Sequence, residues 1–141
     1  MVSQNRNVQF FKTPTYLLPI IEAQAATWLR DLGYDLKWDD GNSQLKSYKK
    51  WFADLVNWEP NIVVFESTTP VMKFYWKTTN DLRKKLPKTI FIMTGYHSMK
   101  RPEETLKKST TDIVLKSNHI DFALVNLIPY IEKNPKWRIS C

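Results

Sequence analysis

Three glycines and one cysteine are all that this 141-residue chain holds of those two types, and each scarcity closes off a class of chemistry. The cysteine is the last residue, Cys141. An internal disulfide is therefore excluded, as is any zinc site or iron–sulfur cluster that needs several thiolates from this chain. No glycine-rich loop follows the first apolar run. In its place stands Thr13-Pro14-Thr15, whose proline removes an amide donor that a phosphate-cradling loop would use. Nucleophile-elbow patterns, paired histidines on a helix and a closely spaced acidic pair after the first strand are also missing. No apolar run reaches membrane-spanning length, and Met1 to Asn7 are polar rather than a charged start with an apolar core. The expectation is a cytoplasmic protein with no membrane association.

Acidic residues are in deficit as well, 14 against 21 lysines and arginines, for a formal charge of +7. The positives gather in Arg83-Lys84-Lys85 with Lys88, in Lys100-Arg101 and in Lys107-Lys108. Such a balance could attract nucleic acid, an anionic ligand or an acidic partner domain. The first cluster, however, ends a helix, where solvated cations complement the carbonyl end of the dipole without a binding role. With no basic arm, zinc-finger spacing or arginine-glycine tract, nucleic acid is not an expected partner.

What is present is enough for one globular domain, with 43% hydrophobic and 25% charged residues. No internal repeat is visible. The core is expected over about residues 8–133, and 134–141 read as a linker or tail. Short apolar runs alternate with longer helical periods, the pattern of repeated βα units. Val8 to Phe11 reads as a first strand. Ile21, Ala25, Trp28, Leu29 and Leu32 then share a helical face over Ile20 to Leu32, which Gly33 closes. Tyr34, Leu36 and Trp38 alternate with Asp35 and Lys37 as a second strand near a sheet edge. Asp39-Asp40-Gly41-Asn42-Ser43 has the composition of a solvated turn, with Ser43 a candidate cap. Leu45, Tyr48, Phe52 and Leu55 mark a second helix that ends before Glu59-Pro60.

After Asn61, Ile62 to Phe65 is an uninterrupted run of apolar, mostly β-branched residues that breaks into Glu66-Ser67-Thr68-Thr69-Pro70, as a strand buried on both faces does when it leaves the core. Val71, Tyr75, Thr78, Leu82 and Leu86 form the inner face of a third helix, closed by Pro87. Thr89 to Met93 repeats the buried-strand pattern and opens into the loop Thr94-Gly95-Tyr96-His97-Ser98, where glycine permits a sharp turn or a close ligand approach. Pro102-Glu103-Glu104 starts a short helix. Asp112 to Leu115 is a fifth strand, Lys116-Ser117-Asn118-His119 its loop, and Ile120 to Glu132 a last helix. Right-handed crossovers then imply a flavodoxin-like (Rossmann-like) α/β fold: a five-stranded parallel sheet of order 2-1-3-4-5 with helices on both faces. Thr13–Thr15, Ser67–Pro70, Thr94–His97 and Lys116–His119 would meet at its carboxyl edge, where such sheets bind ligands. His97 and His119 are candidates for ligand or acid–base roles only through that position. None of the six tryptophans is assigned to a site, since Trp28 and Trp51 fall within helices that packing explains.

Thr13-Pro14-Thr15-Tyr16-Leu17-Leu18-Pro19, Trp28 to Tyr34, Ser67-Thr68-Thr69-Pro70, Leu86-Pro87, Thr94-Gly95-Tyr96-His97 and Arg101-Pro102-Glu103-Glu104-Thr105-Leu106 follow one another in an order that resembles the amino-terminal cobalamin-binding domain of B12-dependent radical SAM enzymes. The similarity runs from about Val8 to about Glu132. Thr13-Pro14-Thr15 and Ile120-Asp121-Phe122 resemble the anaerobic magnesium-protoporphyrin monomethyl ester cyclase branch. The resemblance implies a corrinoid over the carboxyl edge, contacted by Thr15, Ser67, Thr68, Thr69, Gly95, Tyr96, His97, Lys116 and Ser117. It places S-adenosylmethionine and a 4Fe-4S cluster in a separate radical SAM domain, in cis or in trans, because the cysteine triplet is missing here. Catalysis by this chain alone is not expected. The family's fourth-strand loop reads Gly-Gly-Pro-His, and Thr94 and Tyr96 replace its first glycine and its proline. Its fifth-strand loop carries a glycine and a glutamate where Ser117-Asn118-His119 stands. A cofactor-free protein-interaction domain of the same fold is the alternative these departures leave open.

Overall fold

The computed structural model describes residues 2–3, 19–40 and 46–135. In chain order the elements are β1 (Val2–Ser3), α1 (Ile20–Asp31), β2 (Asp39–Asp40), α2 (Tyr48–Trp58), β3 (Ile62–Glu66), a 3-10 turn (Thr69–Val71), α3 (Met72–Lys85), β4 (Ile90–Thr94), α4 (Tyr96–Lys100), α5 (Pro102–Lys108), β5 (Ile113–Val114) and α6 (Ile120–Lys133). Strands β3, β4 and β5 form a parallel sheet in that order, with Ile62 opposite Ile90, Glu66 opposite Thr94, and Ile92 opposite Ile113. Among the described residues no helix is long and apolar enough to cross a membrane.

Strand side chains alternate between two layers, as the pleat requires. Val63, Phe65, Phe91 and Met93 point into a cluster with Trp51 and Leu55 of α2 and Met72, Tyr75, Trp76 and Leu82 of α3. Val64 and Ile92 point the other way, onto Ala25, Ala26 and Leu29 of α1 and Ile120, Leu124, Ile128 and Ile131 of α6. Helices on both faces explain why the β3 and β4 runs carry no polar interruption. The third helix matches its expected face: Val71, Tyr75, Thr78, Leu82 and Leu86 are all buried.

Elsewhere the structure corrects the sequence reading. The paired sheet has three strands rather than five, and β1 and β2 form a separate two-residue parallel ladder. The first strand expected at Val8–Phe11 lies outside the described residues, as do Ser43 and most of the expected tail. Tyr34–Trp38 carries no ladder, and pairing falls on Asp39–Asp40 instead. Asp39 is therefore not a solvated turn residue. Its carboxylate is buried and tolerated there because Lys46 Nζ donates to Oδ2 at 3.1 Å, with Asp54 at 3.8 Å from the same ammonium. The fifth strand shrinks to Ile113–Val114, although Asp112 N and Leu115 N donate to Phe91 O and Met93 O on either side. Ser47 caps α2 by accepting from Lys50 N.

On α1 the core stripe is rotated from the expected one. Glu22, Ala25, Ala26 and Leu29 are buried, whereas Ile21 is 45% and Leu32 60% exposed. The alanine pair packs in the cluster with Val64, Ile92 and the α6 side chains, and Trp28 meets Phe122 of α6 edge-on at 5.3 Å. Arg83 is not a solvated helix-end cation either. It donates to Pro87 O, Thr89 O, Thr110 O and, at 2.6 Å, Asp112 Oδ2, and its guanidinium lies 4.5 Å from the Phe91 ring centroid. One side chain thereby ties the end of α3 to the amino ends of β4 and β5.

Candidate functional site

At the carboxyl ends of β3 and β4 two turns are locked onto each other. Ser67 N donates to Thr94 O at 2.8 Å, continuing the ladder by one residue. The Ser67 hydroxyl donates to the same carbonyl at 2.7 Å and lies 2.7 Å from Ser98 Oγ, with Ser67 0% exposed. Gly95 crosses this point with φ +94° and ψ 172°. A Cβ there would collide with the Ser67 carbonyl oxygen and sit 2.7 Å from Ser67 N, so glycine is required by both its backbone angle and the close approach of the two turns. The chain then enters α4, a helical turn over part of what the sequence pattern presents as a loop.

His97, on that turn, points inward and is buried. Its Nδ1 lies 3.3 Å from Thr69 Oγ1, its ring meets the Trp76 indole edge-on at 5.8 Å, and its Nε2 is 3.8 Å from Glu104 Oε2. Burial pushes the imidazole below its ordinary range. The Glu104 carboxylate opposes this, and the Arg101 and Lys108 cations reinforce it. Glu104 itself is held below the usual carboxylate range, chiefly by the ammonium of Lys108, which it accepts at 2.7 Å. Among the described residues, His97 Nε2 and Thr94 Oγ1 are buried without a hydrogen-bond partner.

The candidate residues thus divide by role. Ser67, Gly95 and His97 are turned into the protein and hold the two turns together. Thr69 and Tyr96 face outward, Tyr96 at 64% exposed, and Thr68 is half-buried between them. Lys116 is exposed beyond β5, and the Ser117 hydroxyl accepts from His119 N at 3.0 Å, closing a short turn ahead of α6. Thr15 lies outside the described residues. Sequence reasoning missed Trp76, Ser98 and Glu104 as supports. Glu104 was legible only as a first-turn acid of α5, and nothing in its spacing signals the histidine beside it.

A corrinoid is a broad, amide-rimmed ligand, and a site for one would need hydrogen-bonding side chains along an exposed edge. The exposed side chains at this edge include the Thr69 hydroxyl and the Tyr96 phenol, above turns held together at Ser67 and Gly95, and the Lys116 ammonium is exposed beyond β5. His97, with its Nε2 buried, is not presented as a cobalt ligand. Among the described residues no group of three or more histidine, cysteine, aspartate or glutamate side chains is arranged to hold a metal ion. At the opposite ends of the strands lies a cavity of about 410 Å³, lined by Leu29, Leu36, Trp58, Ile62, Val64 and Ile128 among others, with Asp35, Glu59 and Glu132 also in its wall. In comparisons with known proteins, no family model, curated protein or solved structure matches the chain.

Proposed function

We propose that this chain is a cobalamin-binding module that orients a corrinoid for chemistry completed by a separate radical SAM domain. The observation that carries the reading is the locked pair of turns at the carboxyl edge of a parallel sheet, with Gly95 against Ser67 and His97 against Thr69. These turns are where two of the family-like strings fall, and the edge of a parallel sheet is where open α/β folds take ligands. The bound cofactor would supply the reactivity. Thr68, Thr69, Tyr96, Lys116 and Ser117 would bind and orient it, while Ser67, Gly95 and His97 keep the floor in shape.

The same reading completes the sheet as 2-1-3-4-5. Three features support it: β1 pairs in parallel with β2, the Cα atoms of β1 come within 8 Å of those of β3, and the cavity is bounded by Leu36, Ile62 and Val64 along the outer edge of β3.

Titrating hydroxocobalamin and methylcobalamin into the purified chain, followed by absorbance and by retention of colour through gel filtration, tests the proposal. Stoichiometric retention is the expected result. A folded sample that retains no colour would overturn it in favour of a cofactor-free interaction domain. That second reading draws on the inward engagement of the Ser67 hydroxyl, which withholds it from a ligand, and on the exposed Tyr96 ring, which offers a partner aromatic surface.

A further inference from the structure

We propose that His97 is a positioning residue which sets the direction of the Thr69 hydroxyl proton at the carboxyl edge, so that ligand recognition there changes when the imidazole gains a proton. This rests on the corrinoid reading of the same edge. The two ring nitrogens face different partners. Nε2 faces the Glu104 carboxylate at 3.8 Å, which favours the neutral tautomer with its proton on Nε2. Nδ1 is then an acceptor, and the hydroxyl 3.3 Å away donates to it. Thr69 consequently spends its proton inward and presents lone pairs to the exposed side, an acceptor suited to the N–H groups of a primary amide.

Protonation reverses this polarity. An imidazolium has a donor on both nitrogens, so Nδ1–H would donate to Thr69 Oγ1 and the hydroxyl proton would rotate outward. An amide N–H that met a lone pair at neutral pH would then meet a donor. The charged groups acting on the ring are Glu104 and Lys108 on α5 and Arg101 between α4 and α5. From α3 comes the uncharged Trp76 indole, and from the β3–α3 turn the Thr69 hydroxyl. Burial keeps the ring neutral near neutral pH, so the change belongs to mildly acidic conditions, below the ordinary histidine range.

Two measurements on the full chain test this. Nitrogen-15 NMR of the imidazole without ligand should show the Nε2–H tautomer for His97 at neutral pH, and an Nδ1–H tautomer would overturn the inference. Cyanocobalamin affinity should weaken about twofold to tenfold as pH falls through the His97 titration, the scale of one net hydrogen bond. That dependence should vanish in His97→Gln and in Thr69→Val, the second being an exposed change that leaves the buried ring in place. Equal pH slopes in wild type and both variants would overturn the inference while leaving the corrinoid reading intact. A folded wild-type chain that binds no cyanocobalamin at any pH would overturn both.

Discussion

The two ends of the sheet are built on different principles. At the carboxyl end, two turns separated by nearly thirty residues are fixed by short hydrogen bonds and by a glycine that no other residue could replace, and the side chains beyond them are polar and exposed. At the amino end, β4 and β5 are clamped by Arg83, whereas the start of β3 borders an apolar cavity with Asp35, Glu59 and Glu132 in its wall. The contrast teaches that a large cavity and a prepared site need not coincide. The cavity wall is mostly apolar with three carboxylates, while the carboxyl end pairs hydrogen-bonded turns with exposed polar side chains, which is why the proposed site is put there.

Four perturbations would break or sharpen this contrast, and they fall in order of size. Gly95→Val should have the largest effect, a loss of more than about 3 kcal/mol, because backbone strain adds to a collision with Ser67, and urea unfolding would measure it. A near-neutral result would mean that the two turns are not locked together. The same substitution is a poor probe of ligand contact, since it damages the floor before it touches a ligand. Arg83→Ala should cost about 2–3 kcal/mol, the scale of lost charge-assisted hydrogen bonds, and thermal melts should show Arg83→Lys recovering only part of that because the planar fork serves several acceptors at once. Ser67→Ala should cost about 1–2 kcal/mol, since Thr94 O keeps the backbone donor but Ser98 loses its partner. Tyr96→Ala should leave stability within about 0.5 kcal/mol yet weaken corrinoid retention, which separates the rim from the floor.

The pH dependence of stability follows from His97. Its folded-state pKa is lowered by burial, so above the unfolded value of about 6.5 both states are neutral and the residue contributes nothing. As pH falls below that value the unfolded chain takes up the proton first, and stability declines until the folded-state pKa is passed, beyond which the loss is constant. Chemical denaturation at neutral and mildly acidic pH should show this decline shrinking in His97→Gln.

Much of this arrangement is legible in the amino-acid sequence. The runs at Ile62–Glu66 and Ile90–Thr94 and the spacing of Val71, Tyr75, Thr78, Leu82 and Leu86 state their burial directly, because local periodicity is fixed by which face meets the core. The sites where the reading failed depend on partners distant in sequence. Asp39 looks like a turn residue until Lys46 is placed against it, and Arg83 looks solvated until Thr110 and Asp112 arrive from the β5 side. Ser67 and His97 carry the residue types of a binding loop, yet their direction is decided by Thr94, Ser98 and Thr69, and no pattern within either loop records that choice.

The most direct test is amide hydrogen exchange on the chain with and without saturating hydroxocobalamin. Binding at the carboxyl end predicts slowed exchange over the turns at 67–69 and 95–98 and over 115–117, with the segments around Leu36 and Ile62 unchanged. Slowing confined to the amino-end cavity, or no slowing at any segment, would contradict the proposal that the locked turns are the corrinoid site.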